Sequence, residues 1–340
     1  MVNEWYMRLY IVLIVSLLCG CVASSDYLRY DGAMLGTTAR VIAEIDLSSR
    51  GALHAIAQRV DRSMQSEMSI FDPSSQLSRV NRSECDSLTP AMIYNIRLAD
   101  SVSRLSGGVY DITILPLVKA RGFAGDEQQA EPNIDSLLEF VGYEKISILD
   151  GRLVKSDRRV QIDLNSIAKG YTVDLFAEEL EQLGVENYLV DIGGELRCRG
   201  KNSRGEPWRI GIESPFDGNM SEGEFIEKRI SMRGERGLCA MATSGNYRRY
   251  YLDNDGNKIA HTIDPRSGKS SISKLLSATV IARSCALADA YGTMFMAVGS
   301  DGAEQLAAKI ENIEVYFIYS NESGGYSEYL SPGMKSLILE

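Results

Sequence analysis

The sequence predicts an α+β fold built as one continuous domain, on three observations. Strand-like and helix-like segments mix along the chain without the regular βαβ alternation of a doubly wound sheet. No internal repeat, heptad run or proline-rich linker marks a boundary. Of 340 residues, 44% are hydrophobic and 24% charged, the balance of a chain that buries a substantial core.

The N-terminus reads as an address. Residues 9–23 (LYIVLIVSLLCGCVA) form an apolar run just after Arg8. That run is shorter than the roughly 18–20 residues needed to span a bilayer and has the length of a signal-peptide core. It ends in Leu18-Cys19-Gly20-Cys21, which resembles a bacterial lipobox with Cys21 as the lipid-bearing residue. The expected organisation is a lipoprotein signal peptide at 1–20, a lipid-anchored leader at 21–33 and the folded domain at 34–340. An uncleaved membrane anchor is the alternative. On either reading the body lies on the periplasmic or extracytoplasmic side.

The elements follow in order. Residues 37–45 (TTARVIAEI) read as a strand, and 51–68 and 92–105 carry apolar residues at helical spacing. Residues 119–132, rich in Gly, Asp, Glu and Gln, read as a surface loop. A helix over 165–183 should stop at Gly184, a good C-terminal glycine. The stretch NYLVDIGGEL reads as a strand interrupted by paired glycines, where a backbone or ligand approaches closely. Strands are expected at 277–282 and 314–319, with a helix over 284–296 between them.

Composition excludes several functions. With 36 basic and 46 acidic side chains the net charge is −10, and no basic cluster offers the phosphate contacts that nucleic-acid binding needs. Two histidines cannot build a histidine-rich metal centre, so a metal here needs oxygen ligands. Cys85, Cys198, Cys239 and Cys285 show no zinc spacing and read mostly as small buried hydrophobes.

Five clusters could carry chemistry, and each has a bland reading beside the functional one. Ser106-Gly107-Gly108-Val109-Tyr110-Asp111 suits close approach to a flat ligand, or is a helix end leading into a strand. Asp163, near a helix start, and Lys169, one to two turns in, suit phosphate, or are a cap and a solvated lysine. Ala242-Thr243-Ser244-Gly245 is a backbone cradle or a turn. His261-Thr262-Ile263-Asp264-Pro265-Arg266 places a histidine beside a structural turn. Asp289 and Thr293, four apart, share a helical face and can offer oxygens to a hard cation.

Taken in order, these clusters resemble the bacterial FAD:protein FMN transferases, the ApbE family, once described as thiamine-biosynthesis lipoproteins. The resemblance runs from Leu35-Gly36-Thr37 and SIFDPSSQLSRVN (69–81) through SGGVYD, DLNSIAKGYTVD, YLVDIGGEL with Trp208, ATSG, HTIDPRSG and ADAYGT. It implies a single domain with a mixed, largely antiparallel sheet and flanking helices. It also implies Mg²⁺-dependent transfer of FMN from FAD to a Thr or Ser hydroxyl of a target protein, through a phosphoester bond and with release of AMP.

The resemblance assigns roles residue by residue. Leu35 takes the place of a methionine against the flavin, and Phe71 stands nearest an aromatic that stacks on the ring. Val109, Tyr110 and Asp111 line the FAD site, Asp163 and Lys169 contact FAD, and Thr262 lies with His261 beside the diphosphate. Ser166 reaches the metal through its carbonyl, Asp289 and Thr293 through side chains, and Gly292 through backbone or water. His261 is the first candidate for the base and Asp289 the second. The implied partners are FAD, acceptor flavoprotein subunits of membrane electron-transfer complexes, and a membrane held through Cys21. Two other readings compete: a pyrophosphatase splitting FAD to FMN and AMP, and a non-catalytic flavin-binding lipoprotein.

Overall fold

The computed structural model describes residues 25–46, 51–125, 132–216, 225–234, 237–246, 250–252, 258–270 and 273–339. Its centre is an eight-stranded sheet whose strands lie side by side in chain order: β1 (Ser25–Met34), β2 (Thr37–Asp46), β3 (Tyr188–Ile192), β4 (Glu195–Arg199), β5 (Ala240–Gly245), β6 (Leu275–Ala282), β7 (Glu314–Ser320) and β8 (Tyr326–Leu330). Every pairing in it is antiparallel.

Of the residues read as the lipid-anchored leader, 25–33 are strand. β1 pairs along its whole length with β2, from Ser25 opposite Asp46 to Met34 opposite Thr37. Leu28 and Tyr30 turn into the core while Arg29 and Asp31 face water, the period-two pattern of an edge strand. The expected signal peptide and Cys21 lie outside the described residues.

Two tight hairpins shape one end of this sheet. Leu35 (φ 51°) and Gly36 (φ 74°) join β1 to β2, both left-handed as a two-residue hairpin turn requires. That conformation is uncommon for leucine, and Asp61 Oδ1 helps hold it by accepting the Leu35 N–H at 2.8 Å. Gly193 (φ 65°) and Gly194 (φ 95°) join β3 to β4, so the expected interrupted strand is a hairpin. A Cβ on Gly193 would stand 2.7 Å from Thr37 Cγ2, which places the two turns side by side.

Helices cover one face: α1 (Ala52–Met68), α2 (Pro90–Leu105), α3 (Ala168–Gln182) and α4 (Cys285–Val298). Their apolar stripes meet Val41, Val190, Ala278, Val280, Val315 and Phe317 in the main core. The alternate residues Leu196, Met241, Ile281, Tyr316 and Ile318 point the other way. They are covered by a three-stranded sheet of Trp208–Glu213, Ile226–Met232 and Ile338–Leu339. β6 is therefore buried on both faces, and its polar residues Ser277 and Thr279 are buried along with Ala278, Val280 and Ile281.

Helix α3 starts three residues later than the expected 165. Asp163 accepts the Asn165 N–H at 2.8 Å and shapes a turn, so the helix opens at Ala168 and Lys169 sits in its first turn. It ends at Gly184 (φ 78°) as the sequence indicates. α3 and α4 touch closely: a Cβ on Gly170 would meet Cys285 O at 2.3 Å. Asp174 of α3 accepts the N–H groups of Cys285 (3.0 Å) and Ala286 (2.9 Å), serving the open N-terminus of α4. No helix among the described residues is long and apolar enough to cross a membrane.

Candidate active site

A cavity of about 290 Å³ opens where the α3 N-terminus, the β3–β4 turn, β5 and α4 converge. It gathers residues from all five clusters: Val109, Tyr110 and Asp111; Asp163, Ser166 and Lys169; Thr243, Ser244 and Gly245; His261 and Thr262; Asp289 and Thr293. Residues far apart in the chain meet on one wall, because α3 and α4 pack together over the same sheet end.

Asp289 is the most constrained of these side chains. It is buried, and its Oδ2 accepts the Gly170 N–H at 3.0 Å, one of the first-turn donors that a helix leaves open. Burial raises its carboxyl above the ordinary range, while Lys169 and the Gly170 N–H pull it back. Thr293 lies one turn along α4 on the same side and also lines the cavity. Ser166 Oγ is 2.9 Å from the Tyr110 hydroxyl. Tyr110 is itself buried, and burial pushes its phenol pKa up.

Asp111 is buried at the cavity edge, and burial lifts its pKa to about 6. Thr113 opposes this through its N–H and Oγ1, both donated to Asp111 Oδ1 at 2.7 Å. Thr262 donates its hydroxyl to Asn246 Oδ1 at 2.7 Å, tying the histidine segment to the end of β5. His261 is half-buried with its ring edge-on to Phe123. The segment that follows is also a structural turn, since Asp264 accepts the Arg266 N–H at 2.9 Å and pairs with its guanidinium.

Three assignments do not fall on this cavity. Leu35 is half-buried against the main core, in the hairpin turn beside that of the lining residue Gly193. Phe71 is 58% exposed and outside the lining, with its ring beside Gly125. Gly292 is not in the lining, and a Cβ there would lie 2.8 Å from Ser244 Oγ, so α4 packs closely on β5 at this position. Lys119, read as part of a surface loop, closes the short helix Leu115–Ala120, and 126–131 of that loop lie outside the described residues.

The residue that sequence reasoning missed is Glu195. It opens β4 directly after the paired glycines, is buried, and forms an ion pair with Lys169. Its partner is 26 positions away, and a lone Glu after a glycine turn gives little local signal. Burial raises its carboxyl strongly, opposed first by Lys169. Among the described residues the four cysteines are free thiols, with Cys198 and Cys285 buried.

Charge on this wall is lopsided. Asp111, Asp163, Glu195 and Asp289 face a single lysine and His261. A polyanion could not enter such a cavity unaided. The donor set fits a hard divalent cation: one carboxylate with a free oxygen, a hydroxyl and nearby carbonyls. No group of three or more His, Cys, Asp or Glu arranged to hold a metal occurs among the described residues.

Residues 35–317 match the ApbE family. The chain belongs to that family. It is 32% identical to the FAD:protein FMN transferase of Vibrio cholerae serotype O1, over 98% of this chain and 99% of the relative. It is 34% identical to that of Haemophilus influenzae, over 90% of each. The flavin transferase ApbE from Vibrio cholerae superposes with a TM-score of 0.80 at 30% identity, covering 92% of this chain and 99% of that one. The apo flavinyl transferase ApbE of Pseudomonas stutzeri gives 0.79 at 27% identity, covering 93% and 98%. The architecture described above is thus the fold of the ApbE flavin transferases.

Proposed function

We propose that this ApbE-family chain is an enzyme that transfers FMN from FAD to a Thr or Ser hydroxyl of a partner protein, forming a phosphoester and releasing AMP. The observation that carries the reading is the convergence of Asp289, Thr293, Ser166, Lys169 and His261 on one cavity. The names of the aligned relatives agree with it.

The residues divide the work. Asp289 Oδ1, Thr293 and the Ser166 carbonyl would hold a divalent cation. When bound, such a cation neutralises charge on both phosphates of the diphosphate. Lys169, held at the α3 N-terminus, adds positive charge to the same region. The acceptor oxygen attacks the FMN phosphorus, the bond to the AMP oxygen breaks, and the acceptor proton passes to His261. A base so placed contributes roughly 10²–10⁴-fold.

His261→Ala separates this role from a structural one. FAD affinity should hold while single-turnover transfer falls on the order of 100-fold. Loss of FAD affinity and thermal stability together would instead make His261 part of the Asp264–Arg266 turn. Incubation with FAD and Mg²⁺, with and without an acceptor domain, separates transfer from hydrolysis: AMP should accumulate only with the acceptor.

The exported, lipid-anchored location belongs to the same proposal and is supported by the apolar run and lipobox-like sequence at Cys21. Radiolabelled palmitate should enter the wild-type chain and not Cys21→Ser. The acceptors are then flavin-carrying subunits of membrane electron-transfer complexes, reached from the anchored side.

A further inference from the structure

The Lys169–Glu195 pair is a poor stability device. Glu195 keeps 4% of its side-chain surface exposed against 36% for Lys169, and its Oε2 is buried without a hydrogen-bond partner. A buried carboxylate with an orphaned oxygen costs free energy that an apolar side chain would not. Something other than stability therefore calls for a charge at this position.

Lys169 has a second carboxylate within reach. The next residue, Gly170, gives its N–H to Asp289 Oδ2 at 3.0 Å, so the Lys169 backbone stands beside that side chain. Asp289 also acts electrostatically on the Lys169 ammonium. Yet among the described residues Lys169 pairs with Glu195 and not with Asp289. The lysine stem is flexible enough to serve either, and an ammonium seated on Asp289 would occupy the oxygen that a hard cation needs.

We propose that Glu195 is a positioning residue that draws the Lys169 ammonium away from Asp289, keeping the Asp289 carboxylate available to a divalent cation. This rests on the metal reading given above. Among the described residues no hydrogen bond or ion pair joins Glu195 to a metal ligand of that reading. Glu195 acts through Lys169, in the way that outer partners set the charge and geometry of a ligand set. The same arrangement keeps the lysine at the cavity wall, where its charge faces the substrate side.

The test counts free Mn²⁺ by electron paramagnetic resonance while each protein is titrated at saturating FAD. Glu195→Gln is close in shape but neutral, and should weaken Mn²⁺ binding about 10–100-fold, the range for lost outer partners of metal ligands. Adding Lys169→Met to Glu195→Gln removes the competing ammonium and should return the affinity close to the wild-type value. That recovery cannot come from a misfolded protein. Glu195→Asp, which keeps the charge, should fall between wild type and Glu195→Gln. Equal binding by wild type and Glu195→Gln, or a double variant as weak as the single one, overturns the proposal while leaving the metal reading intact. Absence of Mn²⁺ binding by the wild type overturns the metal reading and this inference with it.

Discussion

Asp289 Oδ2 accepts the backbone N–H of Gly170 at 3.0 Å, across 119 residues of chain. One carboxylate thereby serves the N-terminus of α3 and lines the cavity. Structure and chemistry can be separated at this position. Asp289→Asn keeps an oxygen for the Gly170 N–H, so its melting temperature should stay near wild type while FMN transfer falls by at least ~100-fold. Asp289→Ala leaves that donor buried and unpaired, and should also lose about 1–3 kcal/mol of stability. Thermal melts and single-turnover assays on both variants check this, and an active Asp289→Asn would remove the carboxylate from the reaction.

Gly170→Ala tests the contact that brings Lys169 and Asp289 together. The added Cβ would meet Cys285 O at 2.3 Å, and that oxygen belongs to the backbone of α4, so the helices must separate. Overpacking of this kind costs about 1–3 kcal/mol. Transfer should fall with it, because the separation breaks the Gly170 N–H bond that orients the Asp289 carboxylate. Denaturant midpoints compared with kcat report both losses.

Asp111 should make stability depend on pH. Burial raises its pKa from 3.8 to about 6. The folded state then binds a proton more tightly than the unfolded chain. That contribution is complete below pH 3.8 and disappears as pH rises through about 6. Its full size is about 3 kcal/mol, because each tenfold gain in proton affinity on folding is worth about 1.4 kcal/mol. Asp111→Asn keeps an acceptor for Thr113 and removes the titration. It should gain stability over wild type at about pH 7.5 and little at about pH 4, on either side of the titration, measured as the difference between paired urea unfolding curves. A constant difference across that range would place Asp111 in a solvated environment.

Phe71 lies outside the cavity, so its ring should matter less than a stacking role requires. Phe71→Ala should leave stability within about 0.5 kcal/mol, as is usual for exposed positions. FAD affinity by calorimetry should change less than about 1 kcal/mol, the low end for a lost aromatic stack. A larger loss would show that the bound state brings the Gly125 segment and Phe71 over the flavin.

Much of the frame is legible in the sequence because it is local. Gly184 marks the end of α3, and the spacing of Asp289 and Thr293 places both on one helical side. The start of α3 is harder to read, because nothing in Asn165-Ser166-Ile167 breaks a helix while the turn depends on Asp163 accepting the Asn165 N–H. β1 escapes notice because an edge strand needs only Leu28 and Tyr30 inside, and DYLRYDGA looks polar. The close packing at Gly292 has no local signal, because Ser244 approaches from another strand. The Lys169–Glu195 pair, the main charge feature of the site, arises from a contact between a helix start and a hairpin that no spacing rule encodes.

Covalent transfer of FMN can be read without an intermediary by intact mass spectrometry of the acceptor. The purified protein, FAD, Mg²⁺ and an acceptor domain carrying a Thr or Ser target are combined, and the acceptor is weighed before and after. The acceptor should gain the mass of one FMN less one water, with an equimolar amount of AMP released. The gain should be absent with EDTA or with Asp289→Asn. An acceptor of unchanged mass beside free FMN and AMP, or FAD left intact, would contradict transfer.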